Sequence, residues 1–372
     1  MRIAMIVERF PPDIGGSGVR FYEIAKRLSR RHEIDVLTLG EQSAEDSILG
    51  FHVYRSNLGS GFFGNLKVHR ILVQSLSCLS HMLIHSYDVV DVDFWPALPF
   101  FSVKMIRPQN AVVVTWNVAW PFSIYKPISE FVTVLARMVS RSSTHNVTVS
   151  EFAQNNLSKN LRIDRTRLEV IPNGIADEFL KAKVSPQWGR MVFVGRLERQ
   201  KRLDLVLQAF NIARRRQDGL ELHIIGSGPL YFQLLSASRR MKGLYLHGAI
   251  SPAKASELIS ELRKSWVFLT ATEFETYSMA MAESLSIGLP VVLTNTPNNG
   301  AVNTLVKHTQ NSLIVRHEDP KAMADAIEEL YNNEALWRKL STNAKYGNAF
   351  YSWDDVAERT ENAYARVLGM PM

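Results

Sequence analysis

The chain has 372 residues, 46% of them hydrophobic and 21% charged, with a formal net charge of +7. That length exceeds what one hydrophobic core serves, so two domains of roughly 170 to 190 residues are expected, and the ordinary composition excludes a disordered chain. The excess of cations favours anionic partners, but it is dispersed rather than interleaved with aromatics in one block, which sets nucleic acid aside and leaves phosphates or an anionic membrane surface.

Cys78 is the only cysteine. With no partner for a disulfide and no Cys/His group at zinc spacing, a reducing, cytoplasmic compartment is expected. Residues 1–8 are too short and too soon charged for a signal peptide and read as a first buried strand. No uncharged apolar run reaches the roughly 18 residues of a membrane span, so membrane association is expected to be peripheral, on the inner face.

Short apolar runs alternate with helical spacing through the first half: a strand at 3–7, a helix over 19–30, then strands at 34–39, 89–92, 112–115, 147–149 and 168–171. This order predicts parallel pairing through right-handed crossovers. Pro172-Asn173-Gly174 is a turn signal, and the looser stretch 181–190, with Pro186 and Gly189, reads as a linker. A second series follows, with strands at 191–194, 220–225, 244–246, 266–270 and 290–294 and helices over 203–215, 230–241, 279–287 and 320–330. Two α/β domains with doubly wound parallel sheets result, 1–180 and 181–350, and a helical segment at 351–372 is expected to cross back to the first.

Residues 11–18, Pro-Pro-Asp-Ile-Gly-Gly-Ser-Gly, lie between a strand and a helix, where Gly15 and Gly16 would let the backbone approach a phosphate or sugar. The spacing is not that of a dinucleotide fingerprint, and a plain turn is the bland reading. Beyond the first strand of the second domain, Gly195-Arg196-Leu197 and Lys201 place two cations at the carboxyl edge of a parallel sheet, where such sheets take ligands. They would clamp a diphosphate, although Arg199, Lys201 and Arg202 by themselves also suit a solvated helix start. Glu275 and Glu283 have seven residues between them, the first ahead of a helix and the second within it. Amides near Ser278, Met279 and Ala280 would face a phosphate at the helix mouth, with both carboxylates on the same side.

In their shared order, the Gly15-Gly16 loop, Val149-Ser150, Ile171-Pro172-Asn173-Gly174-Ile175, Gly195-Arg196-Leu197 with Lys201, Ile225-Gly226-Ser227-Gly228-Pro229, and Glu275 to Glu283 with Gly288-Leu289-Pro290-Val291 resemble retaining glycosyltransferases of family four. The resemblance covers almost the whole chain. It implies a GT-B fold of two facing Rossmann-like domains, a nucleotide-diphosphate sugar donor held in the cleft between them, and retention of configuration without a metal or other cofactor. Arg196 and Lys201 would bind the donor diphosphate and stabilise charge on the leaving group. Glu275 would contact the donor sugar, Glu283 the ribose, and Gly16 the diphosphate or the acceptor through its backbone. Gly15, Asn117, Gly226, Tyr277, Ser278, Met279 and Ala280 complete the implied donor-binding set. A hexosyl unit would pass from a UDP- or GDP-sugar to a saccharide or lipid-linked acceptor. A non-catalytic nucleotide-sugar-binding module, a sugar-nucleotide epimerase and a phosphorylase are the alternatives.

Departures from the family pattern fall at named positions. Asn117 stands where a histidine is usual, and an asparagine bonds a sugar hydroxyl without exchanging a proton near neutral pH. Thr276-Tyr277-Ser278 replaces the usual Gly-Phe-Gly, and Asn303 stands near a usual Pro-Glu pair. Asp91-Val92-Asp93 has the form of a metal-binding Asp-x-Asp, but a divalent site needs several converging oxygens, and no metal is expected there. Asn146-Val147-Thr148 is formally a glycosylation sequon within a buried strand.

On the acceptor side, residues 66–85 carry Leu72, Leu76, Leu79 and Leu83 on one helical face, beside Lys67, His69 and Arg70, and such a stripe is expected to face the core. Phe94-Trp95-Pro96, Phe100-Phe101 and the run from Trp116 to Tyr125 and Lys126 gather aromatics near loop ends. Sugars and lipid interfaces both use such rings, which predicts a peripheral membrane site for a lipid-linked acceptor.

Overall fold

A computed structural model describes residues 1–12, 15–40, 44–48, 50–57, 67–95, 97–118, 129–251 and 254–371. They form two units, 1–174 with 353–372, and 175–352.

In the first unit the chain runs through β1 (Arg2–Ile6), α1 (Gly16–Leu28), β2 (Glu33–Gly40), β3 (Ala44–Ile48), β4 (Phe51–Asn57), α2 (Lys67–Ile84) and β5 (Val89–Asp93). It continues with α3 (Leu98–Ile106), β6 (Ala111–Trp116), α4 (Ser129–Ser142), β7 (His145–Thr148), α5 (Glu151–Leu161) and β8 (Leu168–Val170). The sheet order is β3-β4-β2-β1-β5-β6-β7-β8, parallel throughout except for the β3–β4 hairpin. The β-branched runs of β5 and β6 are buried on both faces, as a parallel sheet covered by helices requires. The hairpin strand β3, Ala-Glu-Asp-Ser-Ile, has no apolar alternation to announce it, because an edge strand tolerates polar residues.

The second unit contains α6 (Asp177–Lys181), β9 (Arg190–Val194), α7 (Leu203–Arg216), β10 (Glu221–Ile225), α8 (Tyr231–Ser238), β11 (Leu244–Gly248) and α9 (Ala255–Lys264). After these come β12 (Val267–Thr270), α10 (Met279–Ser286), β13 (Val291–Asn295), α11 (Gly300–Thr304), β14 (Ser312–Arg316), α12 (Pro320–Asn332) and α13 (Glu334–Tyr346). Its six strands are all parallel, in the order β11-β10-β9-β12-β13-β14. The stretch 181–190 is bound into this unit: the amides of Val184, Ser185 and Gln187 donate to the carbonyls of Ile287, Arg263 and Lys264. The units therefore part at Gly174 and not within that stretch.

The last helix, α14 (Trp353–Val367), packs on α1. Val90 and Val92 of β5 join the core beneath α2, α3, α4 and α5, so by alternation Asp91 faces the opposite side, where α14 lies. Tyr364 donates to Asp91 Oδ2 at 2.6 Å and Thr115 to Oδ1 at 2.8 Å. Burial pushes the Asp91 carboxyl up, while these two hydroxyls hold it down. Nearby, buried Arg20 donates to the Pro172 carbonyl at 2.9 Å and to Asn173 Oδ1 at 3.0 Å. A Cβ at Gly174 would lie 2.7 Å from the Trp353 ring, so the glycine of that turn is required by packing.

Two expectations are corrected by burial. Leu72, Leu76 and Leu83 of α2 face outward, and Gln74, Cys78 and Met82 take the core side. Conversely, Phe94, Phe100 and Trp116 are core residues, with Phe94 stacked on Trp116 at 4.1 Å and the Trp116 indole donating to Asn146. That bond and one to the Ser140 carbonyl bury the sequon asparagine. Leu66, Pro96 and residues 119–128, which include Tyr125 and Lys126, lie outside the described residues.

Tyr364→Phe leaves one oxygen of a buried carboxyl without its donor, and is expected to cost about 1–3 kcal/mol of stability in urea unfolding. A midpoint equal to that of the wild type would show that the bond does not hold α14.

Candidate functional site

In the second sheet β9 leads to β10 on one side, and β12 returns on the other. The loops after β9 and β12 therefore leave the carboxyl edge side by side, at the point where an open α/β sheet has room for a ligand. Arg196 and Lys201 lie on the first loop and Glu275 on the second. Lys201 Nζ donates to Glu275 Oε2 at 2.6 Å, and the two side chains are only 15% and 21% exposed. The Glu273 amide ties the loops again through the Gln200 carbonyl, and Glu275 is pinned by main-chain bonds to Asn298 and Gly300. Arg196 points elsewhere: Nη1 donates to Glu198 at 2.8 Å, with 45% of its side chain exposed. Such an exposed pair is worth at most about 1 kcal/mol, so an arriving anion can recruit the guanidinium at little cost.

Glu275 leads into α10. Ser278 caps this helix with φ +67 and no side-chain cap bond, a left-handed conformation that costs a residue other than glycine about 1–2 kcal/mol. The amides of Met279 and Ala280 find no acceptor among the described residues, and they lie at the positive end of the helix. Ser278, Met279 and Ala280 remain partly accessible, whereas the Tyr277 ring is buried. Within α10, Glu283 makes no side-chain hydrogen bond or ion pair among the described residues, and burial alone pushes its carboxyl up to about 8. A carboxyl in that state is stabilised by ligand hydroxyls that donate to it.

The other implied residues take different places. A Cβ at Gly226, where φ is +150, would come within 1.9 Å of the Gly195 carbonyl oxygen, so this glycine allows the loops after β9 and β10 to cross. In the first unit the sheet likewise reverses between β1 and β5. Asn117, at the end of β6, donates to Asp93 Oδ1 at 3.3 Å, and burial pushes the Asp93 carboxyl up to about 7 against hydrogen bonds from Asn117 and Ser17. The pattern of the sequence pointed to Asp93 only as half of a metal motif; its signal is an acid ending an apolar strand at a switch point. The steric demand in the glycine loop falls on Gly18, whose Cβ would lie 2.4 Å from the Arg9 carbonyl oxygen, whereas Gly15 is extended with its nearest neighbour at 3.8 Å. Gly16 opens α1, and Asp13 and Ile14 lie outside the described residues.

Among the described residues, two groups bring metal-ligating side chains together: His223, His247 and Glu261, and Glu273, His317 and Glu318. Their carboxylates are already paired, Glu261 with Arg190 and Lys264, and Glu273 and Glu318 with Arg202. In the first group two cations face one carboxylate, whereas in the second Glu273 and Glu318 share the single Arg202 with Asp204.

Two family models match the chain, Glycosyltransferase Family 4 over residues 14–179 and Glycosyl transferases group 1 over residues 189–333. An uncharacterized glycosyltransferase of Methanocaldococcus jannaschii is 24% identical over 398 residues, covering 100% of this chain and 99% of that protein. Among solved structures, sucrose-phosphate synthase of Thermosynechococcus elongatus is similar with a TM-score of 0.83 at 16% identity, over 99% of each chain. Anabaena HepE, solved in complex with UDP and glucose, is similar with a TM-score of 0.75 at 14% identity, over 98% of this chain and 99% of that one. At such identities the structural likenesses establish the fold.

Ser278→Gly is expected to raise stability by about 0.5–1 kcal/mol, the relief of left-handed strain less the added chain entropy; a lowered urea midpoint would contradict the strain. Because the Glu283 carboxyl is raised in the folded state, its contribution is present below about pH 4.5 and is lost as pH rises towards 8. Glu283→Gln should therefore flatten the decline of stability across that window, by at most about 1.4 kcal/mol per pH unit. Unfolding curves at acidic and alkaline pH with equal slopes for both proteins would refute this.

Proposed function

Because the chain belongs to the family 4 and group 1 glycosyltransferases and has the GT-B fold, we propose that it moves a hexosyl unit from a UDP- or GDP-sugar to a saccharide or lipid-linked acceptor, with retention and without a metal. The observation that carries this reading is the Lys201–Glu275 pair at the carboxyl edge of β9 and β12, where the chain enters α10 and its two open amides. A donor diphosphate would take Lys201 and the amides of Met279 and Ala280, and draw Arg196 away from Glu198. Glu275 would then accept from sugar hydroxyls, and Glu283 from the ribose.

As the bond between the anomeric carbon and the phosphate oxygen breaks, its electron pair stays on that oxygen. Once recruited by the bound diphosphate, Lys201 and Arg196 would stabilise that charge, which is the work a divalent cation does in other sites. Within the first unit, Asn117 cannot exchange a proton near neutral pH, whereas Asp93 beside it, its carboxyl raised to about 7, can. The UDP and glucose held by HepE support a uridine nucleotide as the first donor to try. A lipid-linked acceptor brings an anionic membrane surface as a partner, and no helix among the described residues is long and apolar enough to cross a membrane.

A thermal-shift screen of UDP- and GDP-hexoses, followed by NMR of the product anomer, tests this reading. Stabilisation by one of them and a product of unchanged anomeric configuration are expected, in the presence of EDTA as in its absence; an inverted product overturns retention. Lys201→Ala should lower turnover by about 10- to 100-fold, the range of one lost charge-assisted contact. An unchanged rate would remove Lys201 from the donor site.

A further inference from the structure

We propose that the outer faces of α2 and α4 form a docking surface for a bilayer containing anionic lipid. The surface lies in the first unit and does not depend on which sugar is transferred. In α2, Leu72, Leu76 and Leu83 share one stripe, 49%, 64% and 59% exposed, and Ile84 follows at 79%. In α4, Phe131, Val134 and Met138 recur at i, i+3 and i+7, 63%, 51% and 49% exposed, while Val132, Ala136 and Val139 fill the core. Met105 of α3, a helix packed on α2 over the same sheet face, adds a further exposed side chain. This is an ordered apolar stripe on each helix and not single residues scattered over a surface, the pattern that marks an interaction face.

The charge on these helices selects the occupant. The described cationic side chains of the three helices are Arg70, which is paired with Glu8, Lys104 and Arg137, which also donate to main-chain carbonyls, and exposed Arg141, against Glu130 as the one carboxylate on these helices. An apolar stripe with a basic surround suits the interface of an anionic bilayer, with aliphatic side chains at the acyl boundary and cations at the headgroup phosphates. A second copy of this chain fits poorly, because a two-fold contact sets the same cations against themselves. No helix among the described residues is long and apolar enough to cross a membrane, so the contact is one of lying on the surface.

Flotation of the full chain with phosphatidylglycerol–phosphatidylcholine vesicles, against phosphatidylcholine alone, at low and high salt, tests the proposal. Binding to the anionic vesicles that weakens with salt is expected. Leu76→Glu with Leu83→Glu, and separately Phe131→Glu with Met138→Glu, should each weaken it by at least about tenfold. These positions are exposed, so the urea midpoint and any UDP-induced thermal shift should match the wild type. Absence of binding to anionic vesicles at low salt, equal binding to neutral vesicles, or undiminished binding of both variants overturns the surface. So does a self-associated species in sedimentation that the same substitutions dissolve while vesicles are not bound. Failure of the donor reading would show instead as no UDP shift in the wild type, with flotation unaffected.

Discussion

The hydroxyl of Tyr364 reaches Asp91 over a separation of 273 residues, and this bond decides how the first unit is closed. A carboxyl in the middle of a parallel sheet cannot be left dry without donors. Asp91 obtains them from Thr115 on the neighbouring strand and from α14, which could not be placed without its own buried face of Trp353, Val356, Ala363 and Tyr364. The same strand ends two residues later at Asp93, which points to the same side. Fixing Asp91 therefore also fixes the acid that stands at the carboxyl edge of this sheet.

Both sheets reverse direction once, between β1 and β5 in the first unit and between β9 and β12 in the second. Loops from either side of a reversal are not bridged by a crossover helix, so polar side chains can gather there without displacing core. In the second unit the result is a cation held ready by a carboxylate, beside a helix whose first amides are open and whose cap is strained. Lys201 and Glu275 neutralise each other at 2.6 Å, which spares both the full desolvation cost of standing alone. Among the described residues Glu283 has no such partner, and burial raises its carboxyl.

On the face of the first sheet covered by α2, α3, α4 and α5, the leucine stripe is outside and the rings near the strand ends are inside, the reverse of what their sequence positions suggest. Phe94 and Trp116 stack in the interior, where the one polar atom of the indole is satisfied by Asn146. The leucine stripe of α2 points to solvent because Cys78, Met82 and Gln74 occupy the side that meets the sheet. A helix this rich in apolar residues can bury either of two faces, and its neighbours choose.

The alternation of apolar runs with helical spacing was enough to establish two parallel α/β sheets, because burial on both faces demands continuous β-branched strands and crossovers demand helices between them. The cations after β9 stand out in the sequence because they follow an apolar strand, Glu275 because it precedes α10, and Glu283 because it is the one charged residue in that helix. Residues in sequence cannot say which of them meet. Only the tertiary structure decided that Lys201 takes Glu275 while Arg196 takes Glu198, that 181–190 is hydrogen-bonded into the second unit, that the polar strand β3 pairs with β4, and that the α2 leucines are outside. Each depends on a partner distant along the chain. Periodicity places side chains on a common face, and only the elements packed against that face determine whether water or protein covers it.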